Sequence, residues 1–360
     1  MDDKFYMKKA IELAKLGTGH VLSNPLVGSI IVKNDDIIGS GFHKKYGSFH
    51  AEIEAINSTN EDLLNSTIYV TLEPCFHLGK TPPCVDAIIK NKFKRVVIGM
   101  LDPNPLVAGK SIAKLKQNNI EVVTNILEKE CMDLNPYFLK HIVHKRPYVI
   151  YKYAMTIDGK TATYSKSSKW ISNETSRARV HQLRNEMMAI MVGSQTIIFD
   201  DPHLDARGEN LVDPIKIIID SGLKTSIDAN VYKKGKTIVA IGKNYDKNKE
   251  EKFISKGADL LKFDTDKIDL ELLMERLGEL NINSILIEGG STLAYHALEA
   301  KIIDQVHVYI APKIIGGDAA PTPIGGRGID DINDCYTLKN IVHEYLDGDI
   351  FIKGDVCLQE

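Results

Sequence analysis

A chain of 360 residues is long for one hydrophobic core, so two domains are the default. With 26% charged and 43% hydrophobic residues and a formal charge of -3, the composition is that of a globular protein with no global basic field. That balance argues against a long nucleic acid as partner. No apolar run is long enough to cross a membrane, which takes roughly eighteen residues or more. The start, Met1-Asp2-Asp3-Lys4, is acidic where a signal peptide would be basic and then apolar, so a cytoplasmic location is expected.

Residues 4–16 predict an amphipathic helix, with Phe5, Ile11, Leu13, Ala14 and Leu16 apolar and Gly17 as its stop. After Asn24-Pro25-Leu26-Val27-Gly28, two short apolar runs, Ile30 to Val32 and Ile37 to Ile38, are joined by Asn34-Asp35-Asp36 and read as a hairpin. Its far end delivers Gly41-Phe42-His43. Ser48 is placed to cap a helix carrying His50, Ala51, Glu52, Ala55 and Ile56. Thr67 to Leu72 and Arg95 to Met100 read as strands, and Thr81-Pro82 as a cap and first helical position, with Cys84 in the opening turn. Strands alternating with helices near 50, 84 and 109 predict an α/β sheet covered on both faces. Asp102-Pro103-Asn104-Pro105 should join its carboxyl rim, where ligands gather. Residues 125–141 suit one connecting helix, and His144-Lys145-Arg146-Pro147 a linker, so the domains expected are 1–145 and 146–360.

The second half opens with a strand, Tyr148 to Met155, and the turn Asp158-Gly159, and Ser172 or Asn173 can cap a helix running to about Asn185. Runs at Ala189 to Val192, Ile215 to Ile219, Ile238 to Ile241, Ile285 to Ile287 and Val306 to Ile310 are rich in β-branched residues and read as strands. Leu270 to Leu280 and Ser291 to Glu299 supply helices, giving a second α/β unit. Glu288-Gly289-Gly290-Ser291-Thr292 joins strand to helix, which suits either an anion at the helix N-terminus or tight packing alone. Thr196 to Arg207, with Asp200, Asp201, His203, Asp205 and Arg207, reads locally as a solvated loop.

The chemistry concentrates between Gly41 and Cys84. His50, Cys75 and Cys84 offer one imidazole and two thiolates, a donor set for zinc, and three protein ligands are the number a catalytic site uses. Taken singly, each cysteine reads as a core residue and His50 as a surface histidine. Together with Glu52, two residues after His50, and with Pro74, they match the zinc-deaminase signature, in which a glutamate that is no ligand handles protons. The gap between the cysteines holds eight residues where the common signature has two, so Phe76 to Pro83 is an inserted loop. Cys131, Cys335 and Cys357 are expected to be free thiols.

These residues resemble the bifunctional riboflavin-biosynthesis enzymes that join a pyrimidine deaminase to a 5-amino-6-(5-phosphoribosylamino)uracil reductase. The resemblance runs nearly end to end. In the first half it rests on Asn24-Pro25 with Val27-Gly28, Gly41-Phe42-His43, His50-Ala51-Glu52, Glu73-Pro74-Cys75, His77 with Gly79 to Cys84, and Asp102 to Pro105. In the second it rests on Arg146 to Val149, Asp158-Gly159-Lys160, Trp170-Ile171-Ser172, His181 with Arg184, Val192-Gly193, Thr196, Asp200-Asp201-Pro202, Glu288-Gly289-Gly290, and Ala311-Pro312-Lys313 with Gly316-Gly317. It implies an N-terminal cytidine-deaminase-like α/β/α domain followed by a dihydrofolate-reductase-like α/β domain.

The implied reactions are zinc-hydroxide deamination of 2,5-diamino-6-(5-phosphoribosylamino)pyrimidin-4-one and then NADPH-dependent reduction of the ribosyl group to ribityl. Carried onto this chain, one Zn2+ falls to His50, Cys75 and Cys84, and proton transfer to Glu52. NADPH falls to Ala154, Trp170, Thr196, Asp200 and the turn Gly290, Ser291, Thr292, Leu293, Ala294, Tyr295 and His296. Substrate contacts fall to Asn24, His43, Lys80, Ser168, Arg184, Leu204, Arg207 and Glu288. Arg184 and Arg207 suit a phosphate, since guanidinium forks match it. Lys80 reads equally as a surface lysine; Trp170, the only tryptophan, could instead be core filling, but its Trp-Ile-Ser motif favours the cofactor. Ser111 stands where the family usually has a second glycine after Gly109. The implied partner is a small phosphorylated pyrimidine, with neither nucleic acid nor membrane, and the assembly a homo-oligomer, dimer or tetramer. The rivals are a nucleic-acid or free-nucleoside deaminase with an unrelated second domain, and a zinc-stabilised binding protein that would have no use for Glu52.

Overall fold

Asp2 accepts a hydrogen bond from the Phe5 amide and so starts α1 (Asp3–Ala14), whose Tyr6, Met7, Ala10 and Ile11 are buried. Asn34 and Asp35 take φ values of 52° and 68° and close the hairpin of β1 (Gly28–Lys33) and β2 (Asp36–Phe42), the left-handed pair that a two-residue turn requires. There follow α2 (Ala51–Asn57), β3 (Thr67–Leu72), α3 (Cys84–Lys90), β4 (Arg95–Met100), α4 (Lys110–Gln117), β5 (Glu121–Val123), α5 (Glu128–Asp133) and α6 (Pro136–His144). The computed structural model describes residues 1–76, 82–104 and 108–357, and the chain divides into the units Met1–Lys145 and Arg146–Glu360.

The first unit is a five-stranded sheet in the order β2-β1-β3-β4-β5, antiparallel at β2-β1-β3 and parallel beyond. Tyr6, Met7 and Ala10 cover one face together with Cys131 and Phe138, while Ala55, Val85, Ile88 and Leu115 cover the other. Both faces are therefore dry, which is why β3 and β4 read as nearly unbroken apolar runs.

Three local expectations need correcting. Ser48 does not cap α2: its hydroxyl exchanges hydrogen bonds with Lys45, and the N-cap position is His50 itself, in extended backbone with no side-chain cap bond. α3 begins at Cys84 with Pro83 at the N-cap, two residues later than expected, because a residue that precedes a proline, here Pro82, is kept out of helical backbone. Thr81 lies outside the described residues. The connecting helix over 125–141 is two helices, since Pro136 holds Asn135 at φ -127°, and the freed Asn135 side chain pairs with both the amide and the carbonyl of Leu26.

The second unit contains β6 (Tyr148–Thr156), α7 (Glu174–Glu186), β7 (Ala189–Gly193), α8 (Ser194–Asp200), β8 (Ile215–Ile219), β9 (Thr237–Ile241), α9 (Lys247–Ser255), β10 (Ala258–Lys262), α10 (Leu270–Glu279), β11 (Ser284–Glu288), α11 (Ser291–Glu299), β12 (Gln305–Ala311), β13 (Thr337–Leu346) and β14 (Asp349–Cys357). Of the two proposed caps, Asn173 is the one used, accepting from the Ser176 amide at 2.8 Å. The nine strands run β10-β9-β8-β7-β11-β6-β12-β14-β13. They are parallel from β10 to β12 and antiparallel across β14 and β13. The expected solvated loop from Thr196 begins instead as α8, whose Ile197 is buried, and Leu204 beyond it is buried in the core as well.

Candidate functional site

At the carboxyl end of β3 the chain passes through Glu73, Pro74 and Cys75, and α2 and α3 bring His50 and Cys84 to the same place. The His50 Nδ1 lies 3.5 Å from the Cys75 sulfur and 3.3 Å from that of Cys84, and the three donor atoms are all within 4.8 Å of one another. Tetrahedral zinc with bonds of about 2.0 Å to nitrogen and 2.3 Å to sulfur sets those donors about 3.5 Å apart, so the spacing fits the metal. Among the described residues this is the one group of three or more metal-ligating side chains.

The charge state fits as well. A hydrogen bond from the Cys84 thiol, helped by His50, holds Cys75 down to about 4, whereas Cys75 and burial push Cys84 well up. Two sulfurs beside an imidazole are the donor set that a divalent cation takes, releasing protons as it binds. The Cys84 amide also donates to the Cys75 sulfur at 3.2 Å.

Glu52, 3% exposed in the first turn of α2, is in hydrogen-bonding contact with Cys84. Burial, with the Cys75 charge adding, pushes its carboxyl up to about 7. Its placement depends on Gly41, where any Cβ would come within 2.4 Å of the Ala55 nitrogen and 2.7 Å of the Ala51 oxygen. Asn24 and His43 come together beside the donors: the Asn24 amide nitrogen is 3.0 Å from His43 Nε2, and His43 Nδ1 is 3.0 Å from the Phe49 carbonyl. The carbonyl can only accept, so the proton is assigned to Nδ1 and Nε2 accepts from Asn24. The His43 and His50 rings meet edge to face, 5.7 Å apart. Lys80 lies outside the described residues, as do His77, Gly79 and Pro105.

Sequence reasoning gave no role to Glu73. Its buried carboxylate accepts from the Asp102 amide at 3.3 Å, the Gly109 amide at 3.2 Å and the Ser111 hydroxyl at 2.6 Å, tying the rim after β4 to the start of α4. Ser111, the departure from the family pattern, is thus a third donor to this brace.

In the second unit, Glu288 ends β11 and is gripped by α7. Arg184 donates Nε and Nη2 to its two oxygens at 2.7 and 2.9 Å, and Lys152 donates to one of them at 3.3 Å. Burial pushes the Glu288 carboxyl up, but Arg184 and Lys152 outweigh it and hold it down to about 2. The remaining Arg184 nitrogen, Nη1, bonds the Asp205 carbonyl at 2.9 Å, so the fork expected on a phosphate is engaged within the protein. Arg207 is more open, its Nε resting on Asp205 at 3.2 Å. Lys152 went unnoticed in the sequence; a lysine inside the apolar run Tyr148 to Met155 was its signal, since buried lysines need partners.

Gly289 and Gly290 turn into α11 at φ 91° and 83°, and a Cβ on either would lie 3.6 Å from the Thr196 hydroxyl, which brings Thr196 of α8 to that turn. Leu293 and Ala294 are buried in the core, as is Leu204. The Tyr295 ring lies against Gly326, and His296 pairs with Glu299 at 2.9 Å. Trp170 is 60% exposed, with the Arg177 guanidinium 4.7 Å over its ring, so it is not core filling. Ala154 lies in β6, partly buried, and Ser168 and Asp200 lie before Trp170 and at the end of α8.

Fold and site together define a two-unit α/β enzyme: a zinc-binding deaminase of the cytidine-deaminase class followed by a reductase of dihydrofolate-reductase type. A family model for the cytidine and deoxycytidylate deaminase zinc-binding region matches residues 1–100, and one for the RibD C-terminal domain matches residues 147–351. The riboflavin biosynthesis protein RibD of Actinobacillus pleuropneumoniae is 48% identical over 357 residues, covering 98% of this chain and 95% of that one. Among solved structures, a diaminohydroxyphosphoribosylaminopyrimidine deaminase/5-amino-6-(5-phosphoribosylamino)uracil reductase from Thermotoga maritima is 35% identical with a TM-score of 0.87, each chain covered to 98%. Acinetobacter baumannii RibD is 34% identical with a TM-score of 0.90, each chain covered to 99%. The chain belongs to the RibD family, and it is a bifunctional enzyme of riboflavin biosynthesis. Among the described residues no helix is long and apolar enough to cross a membrane.

Proposed function

We propose that residues 1–145 deaminate 2,5-diamino-6-(5-phosphoribosylamino)pyrimidin-4-one and that residues 146–360 reduce the ribosyl group of the product to ribityl with NADPH. The observation that carries the first half is the burial of Glu52 against three donors whose spacing suits zinc. His50, Cys75 and Cys84 would hold zinc, which when bound would make hydroxide available near neutrality by lowering the pKa of water. A buried carboxyl beside the donors is placed for both halves of proton transfer, so Glu52 can take a proton and return it to the departing ammonia. His43, fixed by its bond to Phe49, and Asn24 hold the pyrimidine, and Lys80 is assigned to the phosphate from the sequence alone.

In the second unit NADPH supplies a hydride. Ala154, Trp170, Thr196, Asp200 and the turn Gly290 to His296 hold it. Ser168, Arg207, Glu288, Arg184 and Leu204 line the substrate side, Arg184 chiefly by fixing Glu288 and the Asp205 loop. The five cysteines, none in a disulfide, suit the reducing cytoplasm, and the sequence resemblance supports a homo-oligomer, dimer or tetramer.

The deciding experiment is Glu52→Gln. The variant should keep one zinc per chain, release ammonia at least about a thousandfold more slowly, and still reduce deaminated substrate; ammonia release at the normal rate refutes the mechanism. Calorimetry of the whole chain should show NADPH binding, and no affinity for either nicotinamide cofactor would remove the reductase assignment.

A further inference from the structure

The stretch Ala311-Pro312-Lys313 with Gly316-Gly317 has no part in the chemistry above, yet it is fastened to the segment carrying Trp170. Asp158 accepts from the amides of Ile315 and Gly316 at 3.2 and 2.7 Å, and the Ile157 amide donates to the Lys313 carbonyl at 3.0 Å. Further along, the Thr161 amide donates to the Pro321 carbonyl at 2.9 Å. At the other end of the segment the Lys313 ammonium donates to the carbonyls of Trp170 and Ile171 at 2.8 and 2.6 Å. Arg177 covers one face of the indole and bonds the Ser172 carbonyl at 2.7 Å.

Two exposed carbonyls have water available, so Lys313 adds little by merely satisfying them. What its two bonds do is fix the backbone directly after an indole that stands 60% in solvent with one face already backed by a guanidinium. A large aromatic surface held still outside the core is a stacking platform, and immobilising it beforehand removes an ordering cost from the binding step.

We propose that Lys313 is a positioning residue for the nicotinamide cofactor, acting through Trp170. This rests on the reading that Trp170 contacts NADPH.

The test uses the full-length protein, with NADPH titrated by calorimetry and the tryptophan fluorescence of residue 170 followed in parallel. Lys313→Met should raise the NADPH Kd and KM about tenfold, leave kcat at saturating cofactor unchanged, and make the indole easier to quench with acrylamide. Lys313→Arg, which can serve both carbonyls, should restore binding, and Lys313→Gln, which keeps a shorter neutral donor and stands in if the methionine variant does not fold, should fall between. In a Trp170→Ala background, Lys313→Met should change the Kd by less than about twofold. Normal NADPH binding by Lys313→Met while Trp170→Ala is weakened overturns the positioning role and leaves the cofactor reading standing. Full multiplication of the two effects overturns it too. Normal binding by both variants removes the cofactor reading and the proposal with it.

Discussion

Two glutamates flank the metal donors, each 3% exposed, and their surroundings set them to different work. Glu73 has three donors on its carboxylate, from Asp102, Gly109 and Ser111, which make it a brace between two connections. Glu52 has burial and a neighbouring thiolate, which keep its proton on to about pH 7. A further titrating residue, on β12, carries a pH prediction of its own. Burial, with Lys353 and Arg179 close by, holds His307 down to about 3, and its Nε2 donates to the Gln305 side chain at 2.7 Å, so it is neutral in the folded protein. The unfolded chain binds that proton below about pH 6.5. Stability conferred by the neutral ring is therefore complete above about 6.5 and is lost as pH falls toward 3, at up to about 1.4 kcal/mol per unit. Denaturant melts at pH 7 and pH 5 should show this slope in the native protein and show it reduced by one proton in His307→Gln; equal slopes would mean the ring is charged in both states.

At the scale of elements, the deaminase site is as good as the fit of α2 on β2. Gly41→Ala would drive a methyl into the α2 backbone, which cannot yield as a side chain could, so the helix bearing Glu52 must move. Displacements of about 1 Å commonly cost about a hundredfold in rate. We expect ammonia release from Gly41→Ala to fall by about that much while NADPH-dependent reduction by the same preparation is unaffected; a rate within about threefold of the native one would show that α2 tolerates the shift. Elements of this kind were legible where pattern and chemistry agreed: β3 and β4 from their apolar runs, the first hairpin from Asn34-Asp35, and the metal donors from residue types. Others were hidden by composition. β13 is largely exposed and carries Lys339, Asn340, His343 and Glu344, so it lacks a strand's alternation, and only the Asp347-Gly348 turn, with φ of 52° and 99°, betrays its hairpin with β14. α9 is mostly lysine and glutamate with one buried residue, Phe253, too little for a helical stripe to show. The grip on Glu288 was invisible because Lys152, Arg184 and Glu288 are 136 and 104 residues apart along the chain where they pair.

Over the whole molecule, each unit has its own sheet and core, and only the first carries the metal donors. Removing zinc should therefore be selective. Dialysis against a chelator is expected to abolish ammonia release, to leave reduction of the deaminated intermediate intact, and to be reversed by one equivalent of zinc; parallel loss of both activities would tie the second unit to the metal. The way the donors are moored has an evolutionary corollary. Cys75 hangs from a strand end whose neighbouring glutamate is lashed to two other connections, and Cys84 opens a helix that sinks Val85 and Ile88 into the interior. Both anchors are rooted in regular structure, a strand end and a helix, so a change in the length of chain between them carries a small entropic charge while the metal's grip stays put. Eight residues can thus stand between the two sulfur donors, where the common signature has two, with the reactive centre left as it was.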